Sequence, residues 1–374
     1  MECGCVMNVF ELLTENDNLE DKPTICFARI RASEKFAPLH SIVDCWLYSI
    51  KKFMENNPQY HYTLYGISFT QNRPKKNIES IEKADIVVIP SEAEWTFQIK
   101  GFVMNFMVQR TNKYLDEIRN VISGKKIIIL STDRADNERL YRERVFPNKD
   151  VEIAKIDEDD FKGGFVGAVR YHFMKMYDPI QKDRKNFEKE YDFAYWGTTK
   201  KKTVDYESEE QRGKDSGDIR HIVLKELYKS DEISTVFIGA VQGVKNIKWS
   251  KVITDITPHI ARARAVVCFN WLEEGKTALT ARYNEAIAYD VIPLVNYHYD
   301  TTNRLVADDW QRIRNSEDII EKCKQLRDED FRQKMLAKIK EKYAENTDTL
   351  EDYVGEFDRK LKVEIMMRLE QYVT

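Results

Sequence analysis

No apolar run in this 374-residue chain approaches the roughly 20 residues that a membrane-spanning helix needs. It contains no G-x-G-x-x-G and no G-x-x-x-x-G-K-S/T, so neither a dinucleotide fingerprint nor a P-loop explains it. The six histidines never recur at i, i+4, which removes a zincin-type site. Of the six cysteines, Cys26, Cys45, Cys268 and Cys323 are scattered in apolar or helical surroundings, a distribution that suits reduced thiols in a cytoplasm. Cys3 and Cys5 form a C-G-C pair, but no second pair or nearby histidine completes it, so no metal ligand set is assigned. The first residues include an acid and no basic stretch, unlike a secretory signal. The net charge of −4 gives no whole-molecule attraction to nucleic acid or membrane, so any such binding needs a local patch.

What the chain does have is length and alternation. Its size suits two domains, and 42% hydrophobic with 33% charged residues is a globular profile. Strand-like and helix-like segments alternate: TICFARI (24–30), a helical spacing from His40 to Asn56, YTLYGISF (62–69), ADIVVIPS (84–91), a helix over about 102–122, and KKIIILSTD (125–133). After VEIAKID and a helix over 165–177, the charged stretch 179–190 reads as a linker. A second series follows from YDFAYWG (191–197) through STVFIG, ARAVVCFN and VIPLVN to two closing helices. The expected fold class is α/β, with two doubly wound, Rossmann-like domains that face each other across a cleft and a last helix returning to the first. The expected boundaries are 1–178 plus about 355–374 for the first domain and 191–354 for the second. The segment KKKTVDYESEEQRGKDSG (200–217) has almost no apolar anchor. It reads as a solvated insertion or as a mobile loop closing on a phosphate.

In such sheets ligands bind beyond the carboxyl ends of the strands. Asp133 follows an apolar strand there and suits either a general base or the N-cap of the next segment. Arg282 and Glu285 lie three apart in TALTARYNEAIA, just before the strand VIPLVN. They could form a surface ion pair of little energetic weight. Alternatively, the guanidinium could hold a diphosphate and the carboxylate could accept from vicinal ribose hydroxyls, clamping a nucleoside diphosphate.

The segments IIILSTDR (127–134), YDFAYWGTT (191–199), IRHIVLKELY (219–228), VFIGA (236–240) and ARYNEAIAYDVIPLVNYHYDTTNR (281–304) resemble, in the same order, the phage DNA glycosyltransferases of the GT-B fold typified by the β-glucosyltransferase of T-even bacteriophages. The resemblance covers most of the chain from about Ala84. It implies Asp133 as the catalytic base, and Arg282 and Arg220 as phosphate arginines. It also implies Glu285 as the ribose acceptor, Gly197 and Thr198 as the turn meeting the phosphates, Gly239 as a further donor-binding residue, and Ile256 and Thr257 as the uracil segment. The family has a further arginine in the loop where this chain has Lys200 to Lys202, so the third phosphate contact stays open.

The implied activity is inverting transfer of glucose, or of a pentose such as arabinose, from a UDP-sugar to the hydroxymethyl group of 5-hydroxymethylcytosine. Double-stranded DNA is the partner, Mg2+ or Mn2+ an optional ion, the enzyme a monomer, and the place the host cytoplasm. A basic rim for DNA would include Lys125, Lys126, Arg134, Arg139, Arg142 and Arg144, interleaved with Asp136, Glu138 and Glu143. A GT-B transferase with a non-DNA acceptor, or a non-catalytic nucleotide-sugar-binding protein, is the alternative.

Overall fold

The computed structural model describes residues 22–370, except 31–33, 41–42, 71, 91–114, 133–141, 143–144, 148–149, 183–186, 199–215, 242, 249–252, 270–280 and 298–302. Two compact units emerge. The first comprises residues 1–37, 42–161 and 351–374, and the second comprises 38–41 and 162–350.

In the first unit the strands are β1 (Thr24–Ala28), β2 (Glu34–Lys35), β3 (His61–Tyr65), β4 (Ile67–Ser68), β5 (Ile86–Pro90), β6 (Lys126–Ser131) and β7 (Glu152–Asp157). The sheet order is β3-β1-β5-β6-β7, parallel throughout, with β2 and β4 paired apart from it. Every residue of β5 and of β6 is buried, as their unbroken apolar runs require of strands covered on both faces. The run 62–69 divides into β3 and β4 because Gly66 takes φ 69° between them, where an added Cβ would meet the Arg29 carbonyl oxygen at 2.7 Å. The helix Val43–Asn56 buries Trp46, Ile50 and Phe53 at helical spacing. The last helix, Leu350–Glu370, returns to this unit as expected. Its Phe357 packs on Trp46, and its Asp358 accepts from Asn57 Nδ2 at 2.6 Å.

The second unit holds β8 (Tyr191–Thr198), β9 (Thr235–Ala240), β10 (Ala263–Cys268), β11 (Ile292–Asn296) and β12 (Arg312–Ile313), in the order β12-β11-β10-β8-β9 and again all parallel. Counted from each unit's first strand, and leaving β2 and β4 aside, both sheets follow one scheme. The second strand lies on one side of the first, and the remainder lie on the other. The chain therefore changes direction across the sheet beside β8, and the carboxyl end of β8 is the place where a ligand site is expected.

The amino end of this second sheet is tied up differently. Asp192 is buried and accepts from Arg327 Nη2 at 2.8 Å and from the Ser234 amide at 2.9 Å, with Arg264 at 3.5 Å. Burial alone would raise the Asp192 carboxyl, but the bonds from Arg327 and Ser234 outweigh it and hold the group below its ordinary range.

The helix Phe165–Tyr177 and the stretch 179–190, set in the first domain and in a linker by the sequence reading, both fall within the second unit. Asp178 is buried and accepts from the Ile180 amide at 3.0 Å and from the Tyr289 hydroxyl, while Gln181 donates to the Ala288 carbonyl at 3.1 Å. Burial, then the neighbouring Asp178 carboxylate, push the Tyr289 hydroxyl well above its ordinary pKa, so it remains a donor. A charged composition suggests a solvated tether, but these polar groups have specific partners on the second unit. Cys26, Cys45, Cys268 and Cys323 are buried, with the Cys26 thiol pushed up to about 12 by burial. Among the described residues no helix is long and apolar enough to cross a membrane.

Candidate functional site

The site is built around the end of β8. The helix Ala281–Ala288 is buried on almost every side, from Tyr283 to Ala288. A helix so enclosed must satisfy each of its polar side chains internally. Tyr283 donates to the Leu305 carbonyl at 3.0 Å, and Asn284 accepts from the Tyr343 hydroxyl at 2.5 Å. The helix stops at Asp290, whose φ of 58° is a left-handed turn that aspartate tolerates, and the chain passes into β11.

Arg282 and Glu285 do not pair with each other. Both turn to Trp196, near the end of β8. Arg282 donates through Nε at 3.0 Å and through Nη2 at 2.7 Å to the Trp196 carbonyl, and its guanidinium lies over the Tyr195 ring at 4.5 Å. Glu285 takes the Trp196 indole N–H on Oε2 at 2.6 Å and Arg170 Nε on Oε1 at 3.1 Å. Glu285 is 6% exposed and Arg170 4%. The surface ion pair that the i, i+3 spacing allowed is therefore not formed. In its place stand an arginine across a strand-end carbonyl and a buried, doubly bonded carboxylate, one turn apart.

Two glycines make this close approach possible. Gly197 has φ 133°, and an added Cβ would lie 2.7 Å from Arg282 Nη2. Gly239, at the end of β9, has φ 109°, and its Cβ would lie 2.4 Å from the Gly197 carbonyl oxygen. The first clash is with the end of a flexible side chain and the second with backbone. Gly239→Ala is accordingly expected to lower stability by about 1–3 kcal/mol or more, read as a fall in the denaturant midpoint. An unchanged midpoint would show that β8 and β9 do not approach this closely.

The other expected site residues divide by position. Thr198 is the last residue of β8. Arg220 lies on the helix Ser216–Lys229, with its guanidinium 5.8 Å from the Phe269 ring just past β10. Ile256 and Thr257 have fully buried side chains, and the Ile256 carbonyl accepts the His259 and Ile260 amides at 3.0 Å. Any base contact from this segment would come from its backbone. The His259 ring is lowered from its ordinary value by burial, then by Arg262.

Asp133, Arg134 and Arg139 lie outside the described residues, as do Lys200 to Lys202 and nearly all of the 200–217 segment. Arg142 is exposed and donates through Nη2 to the Ile153 carbonyl at 3.3 Å. Lys125 and Lys126, read with that rim, have carbonyl partners. They stand at the amino end of β6, where Lys125 donates to the Glu82 and Ala84 carbonyls and the buried Lys126 to the Arg368 carbonyl. Lysine at a strand start serves as readily to cap neighbouring carbonyls as to meet phosphate.

Trp196 and Arg170 were not singled out from the sequence. An arginine inside the apolar helix FVGAVRYHFM, and a tryptophan next to the glycine that ends a strand motif, were the available signals.

No protein-family model matches the chain, and no curated protein does. Solved structures do. The T4 phage β-glucosyltransferase in complex with UDP-glucose aligns with TM-score 0.55 at 14% identity, over 90% of this chain and 98% of that one. The same T4 phage enzyme with UDP and Mn2+ aligns with TM-score 0.55 at 14% identity, over 90% and 99%. A structure of the DNA-modifying β-glucosyltransferase, with and without uridine diphosphoglucose, gives 0.54 at 13%, over 90% and 98%. The chain thus has the two-domain α/β GT-B fold and is similar in fold to the T4 phage β-glucosyltransferase.

Proposed function

We propose that the chain is an inverting glycosyltransferase that moves a sugar, glucose or a pentose such as arabinose, from a UDP-sugar to the hydroxymethyl group of 5-hydroxymethylcytosine in double-stranded DNA. The observation that supports it most is the convergence of Arg282 and Glu285 on Trp196 beside the two glycine turns. The guanidinium has donors to spare after its contact with the Trp196 carbonyl, and the carboxylate keeps acceptor capacity after its two bonds. One can meet a diphosphate and the other a vicinal diol. The fold likeness points the same way, since the T4 phage structures carry UDP-glucose or UDP.

In this reading Asp133 takes the proton of the hydroxymethyl group. The resulting oxygen bonds to the anomeric carbon from the face opposite the diphosphate. The bond from that carbon to the diphosphate oxygen breaks, and UDP leaves with the electron pair. Arg220 and Arg282 stabilise the charge that develops there, which is the larger electrostatic contribution. The target base is flipped out of the duplex so that its 5-substituent can reach the carboxylate. Arg134, Arg139 and Arg142 are the proposed DNA phosphate contacts. Among the described residues no group of three His, Cys, Asp or Glu side chains gathers. No ligand set of this chain is therefore assigned to the expected Mg2+ or Mn2+.

The test is to incubate the protein with hydroxymethylcytosine duplex and a panel of nucleotide sugars, digest the DNA, and weigh the nucleosides by mass spectrometry. A hexosyl or pentosyl adduct on hydroxymethylcytosine, absent on plain cytosine DNA, is expected. Binding of UDP-sugar with transfer to no DNA would overturn the assignment of the acceptor.

A further inference from the structure

Glu285 is an ionisable side chain on a buried helix, and neither of its oxygens is left to find its own direction. Arg170 holds Oε1 and the Trp196 indole holds Oε2, from the helix Phe165–Tyr177 and from β8. The Arg170 and Glu285 side chains are 5% and 8% exposed. Burying such a pair has a desolvation cost that apolar residues of the same volume would avoid, so its contribution to folding is a weak reason for its presence. Its geometry suggests another reason. One donor on each oxygen fixes the carboxylate plane. Each oxygen retains acceptor capacity, which is what two adjacent hydroxyls on one ring require.

We propose that Arg170 and Trp196 are positioning residues. They set the Glu285 carboxylate so that it recognises a 2′,3′-diol, which makes the chain selective for a ribonucleoside diphosphate over its 2′-deoxy counterpart. This rests on the nucleotide-sugar reading above and extends it to residues that touch neither phosphate nor sugar. Trp196 acts through its indole N–H, and Arg170 acts through its guanidinium. Removing either donor leaves the diphosphate contacts of Arg282 in place but frees the carboxylate to rotate.

The experiment is calorimetric binding of UDP and of 2′-deoxy-UDP to the full chain, to Trp196→Phe, and to Arg170→Lys and Arg170→Met. The wild-type chain is expected to bind UDP at least about tenfold more tightly than 2′-deoxy-UDP, in line with the loss of a hydrogen bond to a charged group. Trp196→Phe keeps the ring bulk and loses only the N–H. It is expected to bring the ratio to about threefold or less, with 2′-deoxy-UDP affinity unchanged. Arg170→Met is expected to do the same, and Arg170→Lys to restore part of the ratio. A thermal melt of each variant shows that it is folded.

If both nucleotides weaken by the same factor in folded Trp196→Phe, the contact is merely structural and the proposal fails. An unchanged ratio overturns it equally. A wild-type chain that binds neither nucleotide overturns the nucleotide-sugar reading itself, an outcome distinct from the other two.

Discussion

Asp133→Asn is expected to reduce transfer of sugar to hydroxymethylcytosine about 10²–10⁴-fold in kcat, the usual contribution of a general base. Affinity for UDP should stay within about twofold. The substitution separates the two roles that the sequence allows at this position. Asparagine caps a helix as well as aspartate does, so if Asp133 serves only as an N-cap the variant transfers sugar normally and melts at the wild-type temperature. Asparagine cannot accept the proton of the acceptor hydroxyl, so a catalytic base is lost outright. Asp133 stands two residues past the last residue of β6, whose six positions are all buried. Quenched-flow or discontinuous nucleoside analysis gives kcat, and calorimetry gives UDP affinity. Normal kcat in a folded Asp133→Asn protein would remove the base assignment.

Arg282→Ala should weaken UDP binding about 10- to 150-fold, the range for losing a hydrogen bond to a charged group. It should leave the affinity for uridine nearly unchanged. The comparison is needed because Arg282 has a second duty: it donates twice to the Trp196 carbonyl. If that bracing of β8 is the whole of its role, uridine and UDP affinities fall together and the melting temperature drops. If the guanidinium meets the diphosphate, only the phosphate-bearing ligand suffers. Arg282→Lys should recover only part of the loss, since an ammonium cannot serve the carbonyl and a diphosphate with one planar fork. Parallel titrations with the two ligands decide between these outcomes.

The strands of the two five-stranded sheets other than β12 were readable, the clearest of them as short apolar runs with a clear boundary. KKIIILSTD and VIPLVN became β6 and β11 within a residue or two. The helix at Phe165–Tyr177 was also legible, from its apolar spacing. Its membership was not, because that depends on partners distant in sequence, Arg170 with Glu285 and Asp178 with Tyr289. The same holds for Arg282 and Glu285. Spacing placed Arg282 and Glu285 on one helical turn, but it could not show that each reaches for a different atom of Trp196. The two-residue strands β2 and β12 carry too few side chains to produce a period and were missed. Lys125 and Lys126 illustrate that a charge in a sequence has no direction. Only the start of β6 shows that they close carbonyls at the amino edge.

The first compact unit is discontinuous: its closing helix, Leu350–Glu370, is encoded after the whole of the second unit. A ribosome adding about 5–20 residues per second therefore leaves the amino-terminal sheet waiting about 10–40 s for the helix that covers Trp46. During that interval an aromatic face that ends at 0% exposure is open to solvent and to other nascent chains. The hazard of an uncovered aromatic face therefore falls on the half of the chain made first.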